Sequence, residues 1–191
     1  RGIKKLFTVE FDANGGTGTA PQSPAVCNYE SCIAPENTFT PPVGYKFKNW
    51  SYYNDATGFT SFFAPGENAG VTISHAIREP ILVAQWEPIE FEISYDVASD
   101  AHATIEDAPY IVKCTYGQEC YAATYNGVPI TFDTGYKLSH WDWDGTEVSA
   151  GQDLSTITTT DGDVINLDAV TDVKVALITY NVLGEAKTIR C

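Results

Sequence analysis

Five cysteines, Cys27, Cys32, Cys114, Cys120 and Cys191, are the residues whose spacing constrains chemistry most sharply. Four of them form two close pairs, Cys27-Asn28-Tyr29-Glu30-Ser31-Cys32 and Cys114-Thr115-Tyr116-Gly117-Gln118-Glu119-Cys120. Such thiols can close two local disulfides, or four thiolates can share one tetrahedral zinc. The spacings exceed the two-residue knuckle that suits zinc, and no histidine lies near either pair. Four cysteines permit three pairings. Closing loops this short stabilises by about 2 kcal/mol. Disulfides belong outside a reducing cytosol. Cys191 is left over, as an unpaired or intermolecular thiol.

Other reactive groups are sparse. His75, His102 and His140 sit in unrelated contexts, and no metalloprotease helix, nucleophile elbow, phosphate loop or dinucleotide fingerprint occurs. Asn14-Gly15-Gly16-Thr17-Gly18 reads as a turn, with no helix pattern following it. Asp142-Trp143-Asp144-Gly145-Thr146-Glu147 clusters carboxylates but lacks the length and ligand count of a calcium loop. Asp161-Gly162-Asp163 reads as a hairpin turn. Lys46 and Lys137 recur at one place, where a buried lysine could in principle form an isopeptide crosslink. No catalytic residue, metal site or cofactor is assigned, and no enzyme is expected.

The elements that would hold these residues show themselves by repetition. Residues 7–14, Phe-Thr-Val-Glu-Phe-Asp-Ala-Asn, resemble 91–98, Phe-Glu-Ile-Ser-Tyr-Asp-Val-Ala, and 176–183, Ala-Leu-Ile-Thr-Tyr-Asn-Val-Leu. The period-two alternation makes each a half-buried strand. A cysteine pair follows each of the first two. Then come Gly44-Tyr45-Lys46-Phe47-Lys48-Asn49-Trp50 and Gly135-Tyr136-Lys137-Leu138-Ser139-His140-Trp141, a polar turn, and a closing apolar strand, Ile81 to Trp86 or Val164 to Val170. This order predicts repeat 1 over 6–88, repeat 2 over 89–173, and the first strand of a partial third repeat, or an intersubunit strand, over 174–191. The alignment sets Phe11 against Tyr95, Trp50 against Trp141 and Trp86 against Val170. Because each unit owns a pair at an equivalent place, the disulfides are expected as Cys27–Cys32 and Cys114–Cys120. Units of this size have modest cores and gain from a staple.

Repeat 1 carries Val9-Glu10-Phe11-Asp12-Ala13-Asn14-Gly15-Gly16-Thr17-Gly18, then Gly44-Tyr45-x-Phe47-x-x-Trp50-Ser51, then Leu82-Val83-Ala84-Gln85-Trp86. In these residues it resembles the Listeria–Bacteroides repeat, also called the internalin B-repeat. Repeat 2 departs from the pattern: Ala98-Ser99-Asp100 replaces Asn-Gly-Gly, and Asp168-Ala169-Val170 replaces Ala-Gln-Trp. The resemblance implies a bacterial secreted or surface protein with β-grasp-like modules in tandem, serving as stalks, spacers or adhesive units. It transfers no catalytic residue. The expected fold class is therefore β-rich, all-β to α+β, with two tandem β-grasp-like repeats plus the first strand of a third.

Composition limits the partners. The formal net charge is −14, and residues 89–175 carry 16 acidic against 3 basic residues, net −13. Nucleic acid and anionic membrane surfaces are disfavoured. No apolar run reaches the ~18 residues of a membrane span. A chain opening at Arg1 without methionine is expected to be a processed protein or a fragment. The expected role is a non-enzymatic structural or adhesive segment of an extracellular bacterial surface protein or filament, whose partners are neighbouring repeats or copies of itself. The alternative is a binding module for a host surface protein or glycan, using Tyr52, Tyr53, Phe62, Phe63 and Trp143.

Overall fold

The computed structural model describes residues 6–24, 27–73, 76, 78–124, 126–182 and 185–190. The protein is β-rich and divides into two compact units, Arg1–Ile89 with Thr159–Asp161, and Glu90–Thr158 with Gly162–Cys191. His75 and Cys191 lie outside the described residues.

The first unit contains β1 (Glu10–Asp12), β2 (Tyr45–Asn54), β3 (Phe59–Phe63), a single helical turn α1 (Gly70–Ile73), and β4 (Ile81–Pro88). Its sheet runs β1-β4-β2-β3. β1 pairs parallel with β4, and β2 pairs antiparallel with β4 and β3. Alternation sends Leu82 and Ala84 of β4 inward, beneath Trp50 and Tyr52 of β2 and Phe63 of β3. Trp50 is wholly buried and meets Phe11 and Phe47 at ring-centroid distances of 5.2 and 5.0 Å. The β2–β4 register shifts between Phe47 and Asn49. This bulge at Lys48 lets Phe47 and Trp50, three residues apart, both pack on the core.

The second unit contains β5 (Glu90–Val97), β6 (Ala103–Ile105), β7 (Tyr110–Thr115), β8 (Ile130–Phe132), β9 (Tyr136–Trp143), β10 (Thr146–Val148) and β11 (Val164–Val173). Its main sheet runs β10-β9-β11-β5-β7, and β6 and β8 pair separately. β11 is parallel to β5 and antiparallel to β9. Ile165, Leu167 and Ala169 alternate inward against Trp141 and Tyr95, whose rings stand 4.7 Å apart at 64°.

Strand for strand, β5, β9, β10 and β11 pair as β1, β2, β3 and β4 do. The register corrects the sequence alignment at the closing strand. Trp50 faces Ala84 and Phe47 faces Trp86, while Trp141 faces Ala169 and Leu138 faces Thr171. Ala169-Val170-Thr171 thus occupies the place of Ala84-Gln85-Trp86, so Thr171, not Val170, stands at the position of Trp86. The side-chain period is two, so the one-residue difference decides which residues face the core.

The strand expected at Leu177–Tyr180 occurs as β12 (Leu177–Val182). Its partner is a strand absent from the sequence reading, β13 (Glu185–Arg190), in an antiparallel two-stranded sheet. Its backbone groups facing β13 are paired within the chain, which answers the demand for ladder partners on that side.

Candidate functional site

Cys27 is bonded to Cys32 and Cys114 to Cys120, and all four are buried. Each disulfide braces a loop that does the same work in its unit. Past Cys32, Pro35 O accepts a 2.8 Å hydrogen bond from Trp50 Nε1; past Cys120, Ala123 O accepts one of 2.7 Å from Trp141 Nε1. The indole N–H is an obligatory donor, so a fully buried Trp needs this carbonyl. The loops are tied down further by Ala34 N to Glu67 O and Ala122 N to Gln152 O, both 2.8 Å. Glu67 Oε2 accepts from Ala64 N, and Gln152 Oε1 from Ser149 N. The sequence signal for this tie is the recurring Gly66-Glu67 and Gly151-Gln152, which motif reasoning overlooked.

The five candidate contact aromatics do not form one patch. Tyr52 and Phe63 are core residues, 3% and 8% exposed, because the β2–β3 register sets them on the same inward face as Trp50. They are not available to a ligand. Burial, with the nearby Asp55 charge, raises the Tyr52 phenol above its ordinary range. Trp143 is half-buried against the core of its own unit. Tyr53 and Phe62 do face outward, 62% and 58% exposed. Ser51 faces Phe62 and Tyr53 faces Thr60, so Tyr53 and Phe62 are diagonal neighbours on one sheet face.

Beside Phe62 lies an open depression of about 280 Å³ lined by Lys48, Asn49, Phe62, Gln85 and Trp86. Asn49 and Gln85 stand opposite each other across β2 and β4. Gln85 Nε2 is fixed by Ser51 Oγ at 2.9 Å and by the carbonyls of Ala84 and Val83 at 3.1 and 3.3 Å. Asn49 Oδ1 is buried and accepts no hydrogen bond. Lys48 Nζ lies 3.7 Å from Glu87. Sequence reading missed Lys48, Asn49 and Gln85. The signal was the pair of adjacent polar residues between Phe47 and Trp50, which breaks the alternation and marks the bulge.

The outward face of the second unit is different. Asp96 faces Asp168, Asp168 faces Asp142, and Asp142 faces Glu147, so four neighbouring strands present a row of carboxylates. Partial desolvation raises the Asp168 carboxyl above its usual range, and the charges of Asp96, Asp142 and Asp144 add to this. Among the described residues no group of His, Cys, Asp or Glu is arranged to hold a metal ion. His102 stacks on Tyr136 at 3.8 Å and its Nδ1 lies 3.1 Å from Asp133, in an exposed pair at the sheet end. His140 Nδ1 lies 3.2 Å from its neighbour Ser139 Oγ. Lys46 Nζ contacts both Asp161 carboxylate oxygens at 3.0 Å in a partly exposed ion pair, without the burial that an isopeptide bond needs. Among the described residues no helix is long and apolar enough to cross a membrane.

No protein-family model, curated protein or solved structure matches the chain.

Proposed function

We propose that the chain is a non-enzymatic structural or adhesive segment of an extracellular bacterial surface protein or filament, built from tandem repeats that resemble the Listeria–Bacteroides repeat. The observation carrying this reading is the doubled scaffold. Two units are closed by the same parallel strand pair, each hangs one buried Trp from a loop carbonyl, and each owns a disulfide. Reiterating a self-contained unit lengthens a chain and calls for no shared reaction centre. Covalent staples suit an oxidising exterior. The net charge of −14 turns the chain away from nucleic acid and towards copies of itself or neighbouring repeats as partners.

The test is immunolabelling of intact source cells with antibody against residues 6–173. Labelling of unpermeabilised cells that is removed by brief external proteolysis is expected. Labelling only after permeabilisation overturns the surface assignment.

A second reading, a binding module for a host surface protein or glycan, is favoured by one observation. Tyr53 and Phe62 stay exposed on the same face as a polar-lined depression.

A further inference from the structure

We infer that the outward face of the first unit carries a saccharide site, formed by Asn49, Gln85, Phe62 and Tyr53, for an uncharged sugar of one or two rings. This rests on the binding-module reading and names its ligand class.

The scaffold does not need these residues. Where Asn49 faces Gln85, the second unit has His140 facing Val170; where Ser51 faces Phe62, it has Asp142 facing Glu147. Lys48, the bulge residue, is matched by Ser139, and Trp86 by Thr171. The same strands form in the same pairing with none of the set retained. The constellation is therefore a property of the first unit's surface and not of its folding.

The Asn49 carboxamide gives the ligand's chemistry. Its buried Oδ1 lacks a donor, and leaving such an acceptor unmade costs about 1–3 kcal/mol. A ligand hydroxyl laid in the depression would donate to it. Gln85 is already held by its three Nε2 hydrogen bonds, so the polar wall of the depression is preorganised. Phe62 and Tyr53 add exposed rings with few torsions to immobilise. A pyranose satisfies both demands at once, with hydroxyl donors at its edge and a flat patch of C–H groups on its face.

Size and charge narrow the class further. The depression, about 280 Å³, falls at the small end of ligand clefts, which begin near ~300 Å³. Lys48 is already near Glu87, and the chain as a whole repels anions. An uncharged sugar fits this better than an acidic one. A peptide added along the β3 edge would bond to backbone and leave Asn49 Oδ1 unanswered.

The experiment is a glycan array probed with the full chain, followed by titration of a retained oligosaccharide. Wild type is compared with Phe62→Glu and Asn49→His, the residues the second unit carries, and with the surface variant Tyr53→Ser. Thermal melts accompany each. Retention of neutral glycans, at least a tenfold loss of affinity in Phe62→Glu and Tyr53→Ser, and unchanged melting support the site. Saccharide binding that is indifferent to Phe62→Glu and Tyr53→Ser overturns it. If no glycan is retained but a purified extracellular-matrix protein binds and is lost in Phe62→Glu, the saccharide inference falls while the binding-module reading stands. If neither ligand type binds, both fall.

Discussion

Replacing Asp168 by Asn should stabilise the second unit at neutral pH. Asp168 faces Asp96 on one side and Asp142 on the other, and Asp144 adds to the same field. Like charges directly opposite across strands each cost up to ~1 kcal/mol. Asp168 is exposed, so solvent screening keeps the sum of its two cross-strand pairs near the middle of that range, about 1 kcal/mol in low salt. For a unit of this size that corresponds to a rise in Tm of about 4–8 °C. The sign with pH follows from linkage. The Asp168 carboxyl is raised in the folded state above its ordinary 3.8, so the native state holds that proton more tightly than the unfolded chain. Its contribution to stability therefore falls as pH rises from the ordinary value through the raised one, and the full cost persists at neutral pH. The gain from Asp168→Asn should shrink on acidification through the same window, and also in 1 M salt, where the Debye length is about 3 Å. Urea denaturation at pH 7 and pH 3, with and without salt, measures this without adding a denaturant of ionic character. A variant no more stable than wild type at pH 7 in low salt, or a gain indifferent to both salt and pH, would refute the reasoning.

Reducing either disulfide should lower stability by about 2 kcal/mol in its own unit, seen as two separable losses in calorimetry of Cys27→Ser/Cys32→Ser and Cys114→Ser/Cys120→Ser. Trp141→Phe removes the only donor to Ala123 O in that pair and leaves a gap beside Tyr95; a loss of about 2–4 kcal/mol by urea titration is expected. Gly16→Ala should destabilise by about 1–3 kcal/mol, because a Cβ there would stand 2.7 Å from Trp86 Cζ2 and 2.9 Å from Thr40 O. Gly15→Ala is a useful contrast: nothing lies within 4 Å of the added carbon, yet φ is +87°, so its cost is backbone strain alone.

The sequence was legible where one residue type had one physical solution. Large aromatics in period-two strands had to go inward, which picks out Phe11, Trp50, Tyr95 and Trp141. The close cysteine pairs pointed to their own bonds once the internal repetition was seen. Register was harder. A closing strand such as Ile81 to Trp86 or Val164 to Val170 offers apolar residues on both faces, so sliding it by one residue left a plausible pattern. Only the cross-strand partners of Trp50 and Trp141 fixed it. The same ambiguity blurred the candidate contacts. Tyr52-Tyr53 and Phe62-Phe63 are adjacent aromatics, and alternation says that one of each pair faces out without saying which. The depression was invisible because it depends on a bulge that brings Lys48 and Asn49 outward together. The carboxylate row was equally hidden, since Asp96, Asp142, Glu147 and Asp168 meet only through three separate pairings.

In each unit the first and last long strands are parallel neighbours, and this governs how a tether would bear load. When a chain is drawn out from the start of β1 and the end of β4, the two strands slide past one another. All the hydrogen bonds joining them then resist together in shear, whereas a hairpin pulled from its open end parts one bond at a time. The ladder between β5 and β11 spans six residue pairs, against three between β1 and β4. Under rising tension the first unit should yield before the second, giving the chain a weak link and a strong one in series.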